Sequence, residues 1–338
     1  MSLFHSYHDL KEHRIDHEST IVGIGNFDGV HCGHQTLIER VVQSSNTTRR
    51  RPSILTFSPH PLRFFKGAQG PRQLYSVMDR EDLLSHLGIQ LILTQHFTNH
   101  FAQLSPHDFV KEVLIDSMHA NQIIVGYDFA FGAKRSGRQK DLIEIAGQYG
   151  ASVEIIEAQT SLDSSLSRPY SSTWIRELVS AGEIGSANKA LGRSYHIRAL
   201  VTQGLQRGRT LGFPTANLKL YSELCPGPGV YAAWLDWGQG PQKSVVSIGS
   251  NPTFEKVHRP SMEQEWSVEA HILHPEFSGD IDIYHQEITL WFTHRLRKMI
   301  RFATVEDLIA QIKNDCLDTR RVLKQCSQPS WPLRSLSE

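Results

Sequence analysis

Cysteine is scarce in this sequence, and neither sign of charge is in excess. The four cysteines (Cys32, Cys225, Cys316 and Cys326) lack the spacing of a metal site or a disulfide framework, which indicates a reducing compartment. Lysine plus arginine number 35 and aspartate plus glutamate also number 35, so the net charge is zero. A neutral chain has no overall attraction to nucleic acid or to an anionic membrane. Any phosphate-binding site must therefore be local.

Long hydrophobic runs are absent as well. No apolar stretch reaches the roughly 20 residues that cross a bilayer, and the N-terminal sequence MSLFHSYHDLKEH lacks the apolar centre of a signal peptide. A chain of 338 residues is long enough for two domains with their own cores. The sequence thus predicts a cytoplasmic protein without a nucleic-acid or membrane partner, and it leaves open whether the chain forms a homo-oligomer.

The first half alternates apolar strand candidates with helical patterns. Strands are predicted at 20–25, 53–57, 89–94, 121–126 and 152–157, and helices at 34–44, 79–88 and 105–118. Strands separated by helices predict a parallel sheet with right-handed crossovers, which is an α/β fold. Ligands of such sheets bind beyond the carboxyl ends of the strands.

The pattern changes near residue 185, where short strands punctuated by turn residues replace the helices. Strand candidates are HIRALVTQG (196–204), VYAAWLDW (230–237), SVVSIG (244–249), WSVEAHIL (266–273) and ITLWFTH (288–294). No helix long enough for a parallel crossover separates them, so an antiparallel barrel is the simplest interpretation. A last helix is predicted over 304–325 with Thr304 as its N-cap, followed by a loose tail.

The segment GNFDGVHCGH (25–34) lies between the first strand and the first helix. His31 and His34 are three residues apart, so both imidazoles fall near the first turn of a helix that begins close to Gly33. A helix start forms an anion site through its unpaired N–H groups and its dipole, and imidazoles add hydrogen-bond donors. The segment has no Gly-Lys-Ser/Thr sequence and is not a P-loop. The pattern also fits an ordinary surface turn with two histidines.

A second helix start has similar chemistry. In RPYSSTWIREL (168–178), Ser171 and Ser172 can cap a helix that begins at Thr173, and Arg176 lies one turn further on the same face. Hydroxyls and a guanidinium together suit a polyphosphate. Two such helix starts converging on one triphosphate would hold it from both ends. Taken alone, the segment also fits an ordinary capped helix.

The second half contains a glycine-rich segment, RGRTLGFPTANL (207–218). Its glycines at 208 and 212 permit close approach of the backbone to a ligand. Thr215 and Asn217 alternate across one residue, so both project to one face if the chain is extended. A threonine hydroxyl and an asparagine amide are suitable oxygen ligands for Mg²⁺ carried by nucleotide phosphates. The alternative is a Gly-Pro loop before an edge strand.

A carboxylate lies inside the strand candidate WSVEAHIL (266–273). Alternation puts Glu269 on the same face as Ser267 and His271, and the apolar residues between them face the other way. This polar face lines either a cleft or open solvent.

Several of these segments together resemble a known family. GNFDGVHCGHQTLI resembles the signature of the nucleotidyltransferase module of bacterial bifunctional riboflavin kinase/FAD synthetases. Further segments match that module in its order: LTFSPHP (55–61), FAQLSPHDFV (101–110), VGYDFAFGAKRSG (125–137) and SSTWIREL (171–178). The riboflavin kinase module is matched by RGRTLGFPTANL, GVYAAW (229–234), SIGSNPTF (247–254), WSVEAHIL and LRKMIRF (296–302). The resemblance runs over nearly the whole chain.

The resemblance implies two ATP-dependent steps on one chain, with Mg²⁺ as cofactor. The C-terminal module would phosphorylate riboflavin to FMN, and the N-terminal module would transfer the adenylyl group of ATP to FMN, giving FAD and pyrophosphate. The implied fold is a Rossmann-like nucleotidyltransferase domain over 1–185 and a six-stranded antiparallel split barrel with a terminal helix over 186–326, followed by a flexible tail over 327–338. No protein nucleophile is needed, because FMN supplies its own anionic oxygen.

The resemblance also assigns roles to residues of the N-terminal module. His31, His34 and Arg176 are its catalytic groups, and Asp128 and Phe129 lie on the flavin side. The residues that bind ATP and its phosphates are Gly25, Asn26, Phe27, Gly33, Ser172 and Thr173.

In the C-terminal module the resemblance makes Glu269 the general base, Thr215 and Asn217 the metal ligands, and Arg297 a flavin contact. The residues assigned to ATP binding are Gly204, Gly208, Arg209, Gly212 and Asn217. The chain departs from the family pattern at Ala199 and His285, where glycine is common, and at Met299, where an acidic residue is usual. None of these departures removes a proposed chemical group, although they bear on flavin affinity.

Three other functions compete with this one. One module could have decayed, the chain could transfer a nucleotidyl group to another phosphate ester, or it could be a non-catalytic regulator that binds flavin. Retention of His31, His34, Arg176 and Glu269 argues against decay and against a mere binder, and the kinase-like second half argues against another ester.

Overall fold

The computed structural model describes residues 1–13, 18–160, 168–203, 211–221, 224–250, 266–273 and 283–329. The chain forms two compact units. The first comprises Met1–Gln73 and Val77–Ser172, and the second comprises Leu74–Ser76 and Thr173–Glu338. The predicted domain limits at 185 and 326 remain a prediction. Of the predicted tail, residues 330–338 lie outside the described part of the chain.

The first unit is built on a six-stranded, wholly parallel sheet in the order β1-β4-β3-β2-β5-β6. Its strands are β1 Ser2–Phe4, β2 Thr20–Ile24, β3 Arg51–Ser58, β4 Leu91–His96, β5 Ala120–Gly126 and β6 Ser152–Ile156. This confirms the predicted parallel sheet and its five predicted strands. The sixth strand, β1, was missed because three half-buried residues carry no periodic signal.

The α-helices described in the first unit are Tyr7–His13, Cys32–Thr48, Pro61–Lys66, Val77–His86, Asn99–Ala102, Pro106–Asp108 and Gln139–Gln148. Short 3₁₀ turns occur at Gly67–Gln69 and Ala133–Arg135, and a wider π-helix occupies Phe109–Ser117. The single helix predicted over 105–118 is therefore two segments. Ser105 caps the first segment and Pro106 lies in its first turn, but the apolar pattern did not reveal the change to the wider helix.

Packing of the helix Cys32–Thr48 on β2 fixes where that helix begins. All five residues of β2 are buried, as expected for a strand covered on both faces. A Cβ atom at Gly23 would lie 2.8 Å from Ile54 and 2.9 Å from both Leu37 and Val41. The missing side chain lets the helix Cys32–Thr48 lie directly on the strand, so its N-terminus stands beyond the carboxyl end of β2.

The second unit is a closed barrel of antiparallel strands in the order β10-β11-β8-β7-β12-β9. Its strands are β7 Tyr195–Thr202, β8 Ala216–Leu220, β9 Gly229–Asp236, β10 Gln242–Ser250, β11 Trp266–Ile272 and β12 Glu287–Arg297. Described helices are Ser172–Ala181, whose first residue belongs to the first unit, Ile184–Leu191 and the terminal Val305–Lys324. The predicted barrel and terminal helix are confirmed, and Thr304 caps that helix by accepting a hydrogen bond from the Asp307 N–H.

Candidate active sites

The turn after β2 has an unusual backbone. Phe27 and Val30 adopt positive φ angles of 48° and 41°, a conformation that side chains rarely adopt. Both side chains are fully buried, and that burial holds the turn in its strained shape. The strained backbone connects β2 to the helix Cys32–Thr48, where the sequence predicts phosphate binding.

His31 and His34 lie together at the start of that helix. The Nδ1 atom of His31 accepts a hydrogen bond from the His34 backbone N–H at 3.3 Å, so His31 is the N-cap. An accepting Nδ1 leaves the ring proton of a neutral imidazole on Nε2. The two rings stack with centroids 3.6 Å apart, a separation at which two positive charges would repel each other strongly. The two imidazoles therefore lie together at the N-terminus of the helix, where the sequence predicts an anion.

Two hydrogen bonds tie the turn to other segments of the first unit. The Ser172 hydroxyl donates to the Asp28 carbonyl oxygen at 2.8 Å, and the Thr56 hydroxyl donates to the Asn26 carbonyl oxygen at 3.1 Å. Gly33 adds a close approach, since a Cβ atom there would lie 3.3 Å from the His31 ring. The structure thus brings the predicted residues of the turn together with Ser172.

Thr173 and Arg176 lie in the first two turns of the helix Ser172–Ala181. The helix begins at Ser172, one residue earlier than expected, which is within the usual uncertainty of helix ends. The role of both residues in holding pyrophosphate remains a prediction.

Aromatic side chains cluster at the carboxyl ends of three strands of the first unit. Phe129, just beyond β5, stacks on Phe131 with centroids 5.5 Å apart, and the neighbouring Asp128 is exposed. Beyond β3 and β4, Phe65 packs edge-on against Phe97 at 5.8 Å, yet Phe65 remains 66% exposed. Phe65 was not predicted from the sequence, although a pair of adjacent phenylalanines follows a strand end there. An exposed ring at this edge of a parallel sheet is suited to a flat ligand.

The second cluster lies in the barrel, where β8 and β11 pair. Glu269 is the register partner of Asn217, so their side chains share a face. The Thr215 hydroxyl donates to Glu269 Oε2 at 3.3 Å. Val268 and Ala270, on the opposite face, are 2% and 1% exposed. The predicted alternation is therefore confirmed, and Thr215, Asn217 and Glu269 converge.

His271 holds the loop that precedes β8. Its Nδ1 atom donates to the Pro214 carbonyl oxygen at 2.8 Å, and its ring meets the Phe213 ring edge-on at 5.6 Å. Burial lowers the pKa of His271 below its usual value, and the Pro214 bond only partly opposes this effect. A neutral His271 thus fixes the backbone next to Thr215. The sequence placed His271 on the face of Glu269 but gave no sign of this bond.

The structure gives fewer contacts for the remaining predicted residues of the barrel. The guanidinium of Arg297 forms an ion pair with Asp315 of the terminal helix, with Nη2 and Oδ2 2.7 Å apart. Its flavin contact remains a prediction. Gly212 has φ +83°, which favours glycine. The predicted ATP-binding residues Gly204, Gly208 and Arg209 lie outside the described residues.

The three departures from the family pattern have different structural settings. His285 has φ +61°, the left-handed conformation in which glycine is free of strain. Ala199 is fully buried within β7, and Met299 is 46% exposed. The histidine at position 285 therefore adopts a strained backbone conformation. Ala199 and Met299 do not have a positive φ angle and carry no such strain.

The oxygen atoms beside Glu269 fit a divalent cation that arrives with a nucleotide. Thr215 and Asn217 offer neutral oxygen ligands next to one carboxylate. Within the described ranges, no group of three or more histidine, cysteine, aspartate or glutamate side chains could hold a metal by itself. Such a partial set of ligands is typical of an ion whose other ligands are phosphates and waters.

A parallel sheet with paired imidazoles at a helix start, joined to a barrel with a carboxylate among hydroxyl and amide oxygens, defines a two-module nucleotide-dependent transferase. Comparisons with known proteins specify this class. The FAD synthetase family matches residues 13–170, and the riboflavin kinase family matches residues 191–323. The chain belongs to the family of bifunctional riboflavin kinase/FMN adenylyltransferases, with the FAD synthetase domain N-terminal and the flavokinase domain C-terminal.

Relatives of that description are similar over almost their full length. The protein of Listeria monocytogenes is 32% identical over 95% of this chain and 98% of its own. That of Escherichia coli K12 is 30% identical over 95% and 97%, and that of Bacillus subtilis is 30% identical over 92% and 94%. A crystal structure described as a macrolide-efflux protein from Streptococcus pneumoniae aligns with a TM-score of 0.78 at 27% identity, covering 96% of this chain and 99% of that one.

Among the described residues, no helix combines the length and the apolar character needed to cross a membrane.

Proposed function

We propose that the barrel transfers the γ-phosphoryl group of ATP to riboflavin with Glu269 as general base. The Glu269 carboxylate takes the proton of the ribityl hydroxyl. The hydroxyl oxygen then bonds to the γ-phosphorus as the bond from that phosphorus to ADP breaks, and ADP leaves. The observation that carries this proposal is the convergence of Thr215, Asn217 and Glu269 on one face of β8 and β11. A base hydrogen-bonded to Thr215 and paired in register with Asn217 lies next to both residues that would hold the ion, where the attacking hydroxyl must be placed.

Thr215 and Asn217 would hold the divalent ion, which we assign as Mg²⁺. When bound, this ion neutralises phosphate charge. The Thr215 hydroxyl can keep its hydrogen bond to Glu269 while a lone pair faces the ion. The bond then fixes the orientation of the carboxylate relative to the nucleotide.

In the N-terminal module, we propose that an FMN phosphate oxygen attacks the α-phosphorus of ATP and pyrophosphate departs. The N–H groups of His31 and His34 and the helix start stabilise charge on the phosphates, and Ser172, Thr173 and Arg176 hold the pyrophosphate. This step needs alignment of two anions and charge stabilisation, with no protein nucleophile. The stacked histidine pair at the N-terminus of the helix supports the assignment. The cytoplasmic location stays a prediction.

Chromatography of the flavins tests the proposal directly. Incubation of the chain with riboflavin and Mg-ATP is expected to give FMN first and then FAD. Formation of neither product would favour the flavin-binding regulator, and FMN without FAD would favour a chain with one decayed module.

Replacement of His271 should impair only the kinase step. His271→Ala removes the donor to the Pro214 carbonyl and frees the backbone beside Thr215, so the rate of FMN formation should fall about 10- to 100-fold. His271→Asn, whose amide nitrogen can occupy the position of Nδ1, should retain most of the activity. Steady-state kinetics with riboflavin measures both variants, and FAD formation from added FMN is the control. Equal losses in the two variants would contradict this role.

Replacement of Phe65 should impair flavin binding in the adenylyl step. Phe65→Ala removes an exposed ring at the edge of the sheet where ligands bind, so KM for FMN should rise about 2- to 10-fold while KM for ATP is unchanged. Tyr149→Ala is the matched control, because Tyr149 is an exposed aromatic residue of the first unit just before Ala151 and the amino end of β6. An unchanged KM for FMN in Phe65→Ala would show that the ring does not contact the flavin.

A further inference from the structure

Arg80 is a buried cation that neither proposed reaction uses. It lies in the helix Val77–His86 and is only 3% exposed. Its neighbours Asp79, Glu81 and Asp82 are 1%, 4% and 6% exposed, so four consecutive charged residues are buried. Buried charge is costly unless it is compensated. The sequence predicts only a helix over 79–88 with Asp79 as a possible N-cap, whereas the helix begins at Val77 and Asp79 lies in its first turn.

The Arg80 guanidinium bridges the ends of two strands of the first unit. Nη1 donates to the Asn26 carbonyl oxygen at 3.1 Å, and Nη2 donates to the Phe57 carbonyl oxygen at 3.1 Å. Asn26 follows β2 in the proposed ATP turn, and Phe57 is near the end of β3. The Asn26 carbonyl oxygen also accepts from Thr56 at 3.1 Å. The planar fork thereby fixes this carbonyl from behind the turn.

The charge of Arg80 is balanced within the same unit. Burial lowers the pKa of Arg80, and the carboxylates of Asp28 and Glu81 act against this effect. An arginine remains protonated in proteins, so a fixed positive charge stands behind the turn. Neutral donors could satisfy two carbonyl oxygens at a lower desolvation cost. Because the charge is offset by the neighbouring carboxylates, the distinctive contribution of Arg80 is its planar fork, which holds two carbonyl oxygens at once.

We propose that Arg80 is a positioning residue of the adenylyl-transfer site, which fixes the Asn26 carbonyl and thereby holds the turn in the shape that binds the nucleotide phosphates. The inference rests on the proposed function of the histidine turn. Arg80 acts through the turn, since it is buried and its Nη1 and Nη2 atoms donate to backbone carbonyls.

Variants of Arg80 in the full chain separate its charge from its hydrogen bonds. Arg80→Gln keeps N–H donors, but its shorter side chain cannot hold both carbonyl oxygens and it leaves the buried carboxylates without their cation, so kcat for FAD formation from FMN should fall about 10- to 100-fold. Arg80→Lys keeps the charge but lacks the planar fork, so kcat for FAD formation should fall less than in Arg80→Gln. The rate of riboflavin phosphorylation by the same variants should stay within about twofold of the unsubstituted chain, because the barrel holds a separate site.

A matched pair of threonine variants distinguishes positioning from stability. Thr56 and Thr94 are register partners on β3 and β4, and both are buried. The Thr56 hydroxyl bonds to Asn26, whereas the Thr94 hydroxyl bonds to Glu81 at 2.7 Å. Thr56→Val should lower kcat for FAD formation about 3- to 10-fold, whereas Thr94→Val should leave this kcat within about twofold of the unsubstituted value. Tm should fall by a similar amount in both variants, because each loses one buried hydroxyl hydrogen bond.

Two results would overturn the proposal. One is an Arg80→Gln chain with unchanged FAD formation. The other is a rate of FAD formation that falls in proportion to the loss of Tm in all of the Arg80, Thr56 and Thr94 variants. That result would make the role of Arg80 purely structural. Failure of the proposed function looks different, because the unsubstituted chain would then make no FAD from FMN.

Discussion

His34→Ala is expected to stop FAD formation while FMN accumulates from riboflavin. The imidazole stands in the first turn of the helix Cys32–Thr48 and stacks on His31, so its loss removes a donor from the place where charge develops on the phosphates. Loss of one preorganised donor of this kind lowers kcat by about 10²- to 10³-fold. The measurement is chromatography of the flavins with riboflavin as the only flavin supplied.

Two further variants make the His34 result interpretable. His34→Gln retains an N–H donor and should recover part of the activity. His13→Ala removes an exposed histidine at the end of another helix of the same unit and should change nothing. If His34→Ala abolished FMN formation as well while the chain stayed folded, the assignment of the two sites would be wrong.

Glu269→Gln is expected to stop FMN formation while added FMN is still converted to FAD. The amide keeps the size of the side chain and an oxygen that can accept from Thr215, but it cannot take a proton from the riboflavin hydroxyl. Loss of a general base lowers the rate by about 10²- to 10⁴-fold. Glu269→Ala should be at least as severe because it also breaks the contact with Thr215. Rates of FMN formation from riboflavin give the comparison.

Glu287→Gln is the matched control for this experiment. Glu287 is also a strand glutamate of the barrel, and its carboxylate accepts from the Tyr221 hydroxyl at 3.3 Å, away from Thr215. The substitution should leave both activities within about twofold, as is usual away from functional features. A Glu269→Gln chain that phosphorylates riboflavin at the normal rate would exclude Glu269 as the base.

Strong local periodicity made much of the fold predictable. The parallel sheet followed from apolar strands alternating with helices, and the polar face of Glu269 followed from strict alternation, with Val268 and Ala270 buried as expected. The helix start beside His31 followed from the placement of glycines and histidines after an apolar strand. Each of these features depends on residues close together in sequence.

Features that depend on distant residues could not be predicted. Arg80 lies 54 positions from the Asn26 carbonyl oxygen that it binds, and its acidic neighbours made it resemble a residue of a solvated helix face. His271 lies 57 positions from Pro214, and a backbone carbonyl acceptor leaves no trace in the side-chain pattern. Phe65 is exposed, and exposure follows from the packing of neighbouring strand ends rather than from hydrophobicity.

Mixing the two inactive variants tests the central claim, that this chain carries two separate sites, one for each step. His34→Ala and Glu269→Gln chains are combined with riboflavin and Mg-ATP, and FAD is measured by chromatography. We predict that the mixture forms FAD although neither chain alone does so, because one supplies FMN and the other adenylylates it. A mixture that forms no FAD, from chains that each retain their remaining activity, would contradict the account.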